Sequence, residues 1–307
     1  MAMTLYIDGK LINTAPGTCI YTDYAGGQSD SIELSVDDSE LELRKLQLTK
    51  GMELQALCSN ADTGTMYISN ITYRGNTVEL RALSLPARCY ATKNYYWEQI
   101  GFAEFVKDIA DEAGLTLKLL DSLAVTYVDI TRLELAPVQL LQARLELEGF
   151  ACKIHNNILI VYDERKREQA EYTEMYFADD FSEKPIYYTK DAGLIARVEN
   201  TCRMSTGKVI KTAVESGLQG RTLRHNISVS SIDESERFSR GIMRNANKYE
   251  FCGRLALNEI KHSAGEVIYI KDAPYKHDGD NYIYRVENDF VKGRQTLYVR
   301  KGIAGGY

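Results

Sequence analysis

Ile100-Gly-Phe-Ala-Glu-Phe-Val-Lys-Asp-Ile-Ala-Asp-Glu-Ala-Gly114, followed by Leu115-Thr-Leu-Lys-Leu119, is matched further on by Pro137-Val-Gln-Leu-Leu-Gln-Ala-Arg-Leu-Glu-Leu-Glu-Gly149, followed by Phe150-Ala-Cys-Lys-Ile154. In the first copy Phe102, Phe105, Val106, Ile109, Ala110 and Ala113 recur at helical period, with Glu104, Lys107, Asp108, Asp111 and Glu112 on the opposite side. Gly114 stands where a helix ends in a left-handed residue, a conformation glycine adopts without a Cβ clash. The second copy opens on Pro137, which suits a first helical turn because its missing N–H has no partner there. Each copy therefore reads helix, glycine, strand. A hairpin follows, turning at His155-Asn156-Asn157 and returning along Ile158-Leu-Ile-Val-Tyr162. Residues 93–163 are expected to form a compact α/β domain.

On either side the pattern is β. In 1–92, Asp8-Gly9 marks a tight turn, Ile32, Leu34 and Val36 alternate with polar residues, and Met52–Cys58, Thr65–Tyr73 and Thr77–Leu83 are further strands. The boundary falls near Leu85-Pro86, and Tyr95-Tyr96-Trp97 announces the middle domain. The mixed-charge run Asp163-Glu-Arg-Lys-Arg-Glu168 reads as a solvated linker. Beyond it, Glu171–Thr189, Ile195–Met204 and Lys208–Val214 read as strands, and Ser230-Ser231 can cap a helix over Ile232–Tyr249. Strands resume at Gly253–Leu257, Glu266–Ile270, Asn281–Glu287 and Gln295–Arg300. The expected fold class is α+β: two small antiparallel β-barrel domains, 1–92 and 164–307, separated by the α/β domain, with a helical insertion near 230–250 in the second barrel.

Composition narrows the function. The chain has 307 residues, 44% apolar, with only 5 prolines, which excludes a disordered or low-complexity protein. No apolar run reaches the roughly 20 residues of a membrane span, and the N-terminus lacks a signal peptide's basic flank and apolar core, so synthesis and folding in the cytoplasm are expected. A net charge of −6 with mixed signs disfavours a nucleic-acid surface. The six cysteines (19, 58, 89, 152, 202 and 252) are widely scattered, without the close pairs of zinc sites or disulfide scaffolds. Tyrosine is over-used, 21 against 8 Phe and 1 Trp, which suits both β-strands and protein interfaces.

No catalytic set emerges. Asp62-Thr63-Gly64 matches an aspartic-protease triplet but lacks a second copy and the apolar lead-in strand, so it reads as a turn. Ser205-Thr-Gly-Lys208 lacks the first glycine of a phosphate loop and has Val209 where Ser or Thr would hold Mg²⁺. His155, His225, His262 and His277 are isolated in sequence. Asp37-Asp38 and Asp179-Asp180 read as solvated loops rather than a glycosidase pair or a calcium site. No catalytic, cofactor-binding or metal residue is assigned, and the chain is not expected to be an enzyme.

The segments taken together resemble the baseplate-hub proteins of contractile phage tails, the late-control-protein-D group. The resemblance runs from the Asp8-Gly9 hairpin and Ser29-Asp30 before Glu33-Leu-Ser-Val-Asp-Asp38, through Gly51 and Thr63-Gly-Thr-Met-Tyr-Ile-Ser-Asn-Ile71. It continues at Trp97 with Phe105–Leu115, at Pro137-Val-Gln-Leu-Leu141 with Glu148-Gly-Phe150, and at the Ser231–Tyr249 helix before Asn281-Tyr-Ile-Tyr-Arg-Val286. It implies a homotrimer whose two barrels per chain make a six-part ring between a six-fold tail tube and a three-fold spike. Implied partners are the tube protein, the spike protein and other baseplate proteins, with a place in the virion tail baseplate after assembly in the host cytoplasm. Because the sequence ends at Tyr307, a spike or lysin is expected to be a separate protein. The same architecture also serves a hub or spike base of a tail-derived bacteriocin or secretion apparatus; a carbohydrate-binding or cell-wall-degrading β protein is the remaining alternative.

Overall fold

The computed structural model describes residues 3–58, 60–189, 193–203 and 207–303. In its middle third the repeat is longer than the sequence suggested, because each copy opens on a strand. Lys93–Gly101 leads into helix Phe102–Ala113 and strand Thr116–Leu119; Thr126–Leu135 leads into helix Pro137–Glu148 and strand Phe150–His155. Gly114 and Gly149 end the helices at φ 70° and 75°, as their positions required. The two opening strands pair antiparallel, with Trp97 opposite Ile130. The two closing strands both pair with Ile158–Asp163, Thr116–Leu119 in parallel and Phe150–His155 antiparallel.

One apolar core unites the copies. Phe105 meets Trp97 edge-on at 5.3 Å, and Phe102 meets Phe150 at 5.1 Å. Arg132 is fully buried beside this core, yet its charge is met. It reaches Glu112 at 2.9 and 3.0 Å and donates to the carbonyls of Leu135 and Ala91.

The flanking regions share one sheet of fourteen strands. Eight come from residues 3–83 and six from residues 174–300. Pairing of Pro16–Tyr24 with Gly279–Asp289, over Ile20 to Tyr24, is the seam between them. Two apolar cores lie along this sheet. Ile7, Ile32, Val36, Met66 and Val78 build the first; Leu255, Ile268, Ile283, Val286 and Leu297 build the second. Phe290 crosses the seam and packs in the first core against Tyr21, ring centroids 5.9 Å apart. The fold is α+β and mostly antiparallel, and no closed barrel is found among the described residues.

Two expectations are revised in the last third. Ile195–Arg203, Val209–Glu215 and Arg221–His225 are not strands of a barrel; they make a separate three-stranded sheet, antiparallel on one side of the central strand and parallel on the other. Alternation gave these strands one apolar face but could not name its partner. That face, through Val198 and Val214, packs on Met243 of helix Ile232–Asn247, which the Ser231 hydroxyl caps by accepting from the Glu234 amide at 3.1 Å. The same helix crosses Pro137–Glu148 of the middle unit at Gly241, where a Cβ would sit 2.2 Å from the Leu147 carbonyl oxygen.

The charged run after the middle unit is the second revision. Glu164 and Glu168, on the short helix Glu164–Glu168, are buried rather than solvated. Arg300 reaches Glu164 at 2.9 Å and Glu168 at 2.5 Å; Arg244 also pairs with Glu168, and Lys248 with Glu164 at 3.1 Å. Their partners arrive from elements far along the chain, so local composition carried no sign of burial.

Gly241→Ala is expected to lower stability by about 1–3 kcal/mol, the cost of overpacking a close backbone approach. Urea denaturation with far-ultraviolet dichroism measures it; an unchanged midpoint would mean the helix crossing relaxes freely.

Candidate assembly surface

The C-terminal half of the sheet runs Glu174–Phe177, Val267–Lys271, Gly279–Asp289, Arg294–Arg300, Phe251–Leu257, Ile186–Thr189. Its two outermost strands are consecutive in sequence, bridged by residues 178–185. The chain leaves one edge and returns at the other. Glu171–Thr189, expected as continuous strand, is thus split by the turn Ala178–Asp180 and by Pro185. Met175 and Phe177 project from the first edge strand, and Ile186 and Tyr188 from the second, each more than two-fifths exposed. At the far end of the fourteen-strand sheet lies Lys10–Ile12, with Leu11 exposed beside Lys10. Edges with large apolar side chains offer unpaired backbone groups to another chain. The sequence signal for them was available, since Met175/Phe177 and Ile186/Tyr188 each sit two apart, but alternation does not say which strand ends a sheet.

A second feature lies where the three stretches meet. Asp23 accepts from Lys153 of the middle unit and, at 2.8 Å, from the Ala264 amide of the last third. Asp30 stands 3.7 Å from the same ammonium and accepts from the Tyr24 amide at 2.9 Å and the Tyr21 hydroxyl at 3.3 Å. Beside this clamp is a recess of about 450 Å³ that Asp62, His155 and His262 also line. Burial raises the Asp23 carboxyl to about 6, and Asp30 adds to the rise against the opposing pull of Lys153. Burial also works against the Lys153 ammonium, but two carboxylates outweigh it and its pKa rises. The two shifts agree physically: one cation serves two anions, so the cation is over-compensated and Asp23 is under-compensated.

Of the residues singled out from sequence, Asp62, His155 and His262 meet at that recess, and the others lie apart from it. Asp62 accepts from the Gln55 side chain at 2.9 Å and the Gly64 amide at 2.7 Å, and the Thr63 hydroxyl accepts from the Ala56 amide and donates to the Gly64 carbonyl. Asp38 accepts from the amides of Leu43 and Arg44, Asp37 from Ser39, and Asp180 from the Phe177 amide. His262 lies between Glu266 at 2.8 Å and the Tyr176 hydroxyl at 2.7 Å, a chain with the outline of a catalytic triad. Burial first, and Glu174 after it, hold the Tyr176 phenol far above its ordinary range, which suits a structural link rather than a nucleophile. His277 is wedged between the rings of Tyr187 and Phe251, where burial lowers its pKa; His225 ends the small three-stranded sheet. All six cysteines are buried, and burial pushes Cys19 and Cys152 up to about 12 and Cys89 to about 11, away from thiolate reactivity. Ser205 and Thr206 lie outside the described residues. Among the described residues no three His, Cys, Asp or Glu side chains gather as a metal site.

The clamp has a pH signature. With Asp23 binding its proton more tightly folded than unfolded, its stabilising contribution is complete below about pH 4 and is lost as pH rises through about 6. Asp23→Asn is expected to flatten this fall, worth up to about 1.4 kcal/mol per pH unit. Urea midpoints of both proteins at half-unit steps from pH 4 to 7 measure it, and parallel profiles would rule it out.

No family model matches the sequence, and no curated protein matches it. Solved structures do. The 43 kDa tail protein of prophage MuSo2 from Shewanella oneidensis is similar at TM-score 0.77 and 10% identity, over 98% of this chain and 98% of that one. The tail protein from Neisseria meningitidis MC58 is similar at TM-score 0.78 and 12% identity, over 98% and 97%. An Escherichia coli component of the type VI secretion system, itself structurally similar to bacteriophage T4 tail proteins, is similar at TM-score 0.56 and 10% identity, over 99% and 78%. At these identities the likeness is one of fold, and the fold is shared from end to end with two tail proteins.

Proposed function

We propose that this chain is a structural subunit of a phage tail, the baseplate hub of a contractile tail. The observation that carries the reading is the likeness of 98% of the chain to each of two tail proteins, one of them from a prophage. The open edges Glu174–Phe177 and Ile186–Thr189 support it, because a ring needs strands left free to pair between copies. In this reading residues 1–92 and 164–307 each supply a β body built on one half of the shared sheet, 93–163 spaces them, and three chains place six such bodies around a channel. Such a ring meets a six-fold tube on one side and a three-fold spike on the other. The tube, the spike and neighbouring baseplate proteins are its partners, in the tail baseplate of a virion assembled in the host cytoplasm. The role requires no catalysis.

A hub or spike base of a secretion apparatus or tail-derived bacteriocin is the second reading, favoured by the likeness to the Escherichia coli type VI secretion component. Both predict the same oligomer and differ in the spike and tube that the chain accepts.

Native mass spectrometry of the purified chain, alone and mixed with candidate tube and spike proteins, tests the proposal. Three copies per particle are expected in at least the mixture, and a monomer throughout would overturn the hub reading. Ile186→Lys with Tyr188→Lys is expected to weaken assembly about tenfold or more, by charging an apolar edge, while leaving the thermal midpoint of the single chain within a few degrees.

A further inference from the structure

The ribbon Lys93–Gly101/Thr126–Leu135 is joined by no third strand among the described residues. One face is spent on the core through Trp97, Ile100, Tyr127 and Ile130. The opposite face is outside the core, and part of it borders a recess walled by Arg203 and residues 228–230. Tyr96, Val128 and Leu133 project from it, Leu133 with 67% of its surface exposed. On the same ribbon Glu98 stands directly opposite Asp129. Like charges facing across a strand pair oppose the pairing, and neither carboxylate has a cation or hydrogen-bond partner among the described residues. Elsewhere the chain avoids this: Glu33 stands opposite Arg81 and reaches it at 3.3 Å. Slight desolvation, then Asp129 and Glu98, raise the Tyr96 phenol, so the aromatic ring and the two acids form one patch.

We propose that this ribbon docks an extended segment of a partner protein, added at its free edge, which sets a Lys or Arg over Glu98 and Asp129 and apolar residues over Tyr96, Val128 and Leu133. Charge complementarity selects the occupant, because a cation at that point relieves the repulsion across the ribbon, and the backbone edge supplies the remaining bonds. That recess, of mixed charge, adjoins this point. Tyr96, Val128 and Asp129 of the ribbon line it together with Arg144, Arg203 and Glu234. Arg144 is itself held over the rings of Tyr127 and Phe238, at 5.0 and 5.3 Å from their centroids. The inference stands apart from the hub reading, since it concerns a surface that the sheet edges do not use.

Trp97 is the only tryptophan and lies within the ribbon, so its fluorescence reports on this surface. The full chain is titrated with two end-blocked octapeptides, one alternating lysine with valine and one alternating glutamate with valine. The lysine peptide is expected to give a saturable change and the glutamate peptide none. Glu98→Gln with Asp129→Asn is expected to weaken binding about tenfold or more, and Leu133→Ser to weaken it as well. Asp179→Asn with Glu183→Gln changes net charge equally at a remote exposed loop and is expected to leave binding unchanged. Equal response to both peptides, no response, or equal weakening by the remote pair overturns the proposal. So does a change in the chain's mass in solution caused by the ribbon variants, which would make a second copy of this chain the occupant.

Discussion

Five charges are buried together where the end of the middle unit, the long helix and the last strand converge. Arg244, Lys248 and Arg300 surround Glu164 and Glu168, and the rings of Tyr249 and Tyr282 face the Arg300 guanidinium at 5.6 and 4.8 Å. Burial alone would drive Glu164 towards its neutral form; Arg300, Lys248 and Arg244 reverse this and hold its carboxyl down at about 2. Lys248 goes the other way, its pKa lowered by burial and by the two arginines against the pull of Glu164. Both carboxylates are therefore met by cations, while Arg244 Nε and Arg300 Nε stay buried without a hydrogen-bond partner. Removing one member strands the rest in a dry site, a loss of about 3–5 kcal/mol for a broken buried pair. An arrangement of this kind contributes less to net stability than to register: it admits one placement of the short helix Glu164–Glu168 against the helix and strand that close the chain.

What could be read from the sequence follows from the range over which each cause acts. The helices ending at Gly114 and Gly149 were legible because capping, period and the left-handed glycine are all decided within a few residues. The opening strands of each copy were missed, since Lys93–Gly101 and Thr126–Leu135 alternate irregularly where Gln99 and Glu134 take left-handed backbones. The two halves of the large sheet were legible as β, but their union through Pro16–Tyr24 and Gly279–Asp289 was not, because a strand edge leaves no mark in composition. Asp163–Glu168 looked like a linker for the same reason: its compensating arginines lie far along the chain.

The assembly surface was half legible. Excess tyrosine suited both a β fold and an interface, and the structure divides it between them. Tyr21, Tyr127, Tyr162 and Tyr282 are buried in the fold, whereas Tyr95, Tyr96, Tyr172 and Tyr188 remain outside it. The sequence could not make that division, because a tyrosine ring suits a core position and an exposed edge equally well. Of the acids and histidines flagged from sequence, Asp37, Asp38, Asp62 and Asp180 bond within turns and helix starts, and His262 links Glu266 to Tyr176.

The seam between the two halves of the sheet also has a temporal meaning. Strand Pro16–Tyr24 leaves the ribosome long before its neighbour Gly279–Asp289 and the plug Phe290. In that interval the early strands expose an unfilled edge and an incomplete core, the condition under which nascent β proteins pair wrongly with one another. Emergence of Gly279–Asp289 and Phe290 therefore licenses closure of the core that the early strands build. A truncated product, lacking Phe290, would carry that unfinished edge and be a substrate for proteolysis rather than a building block.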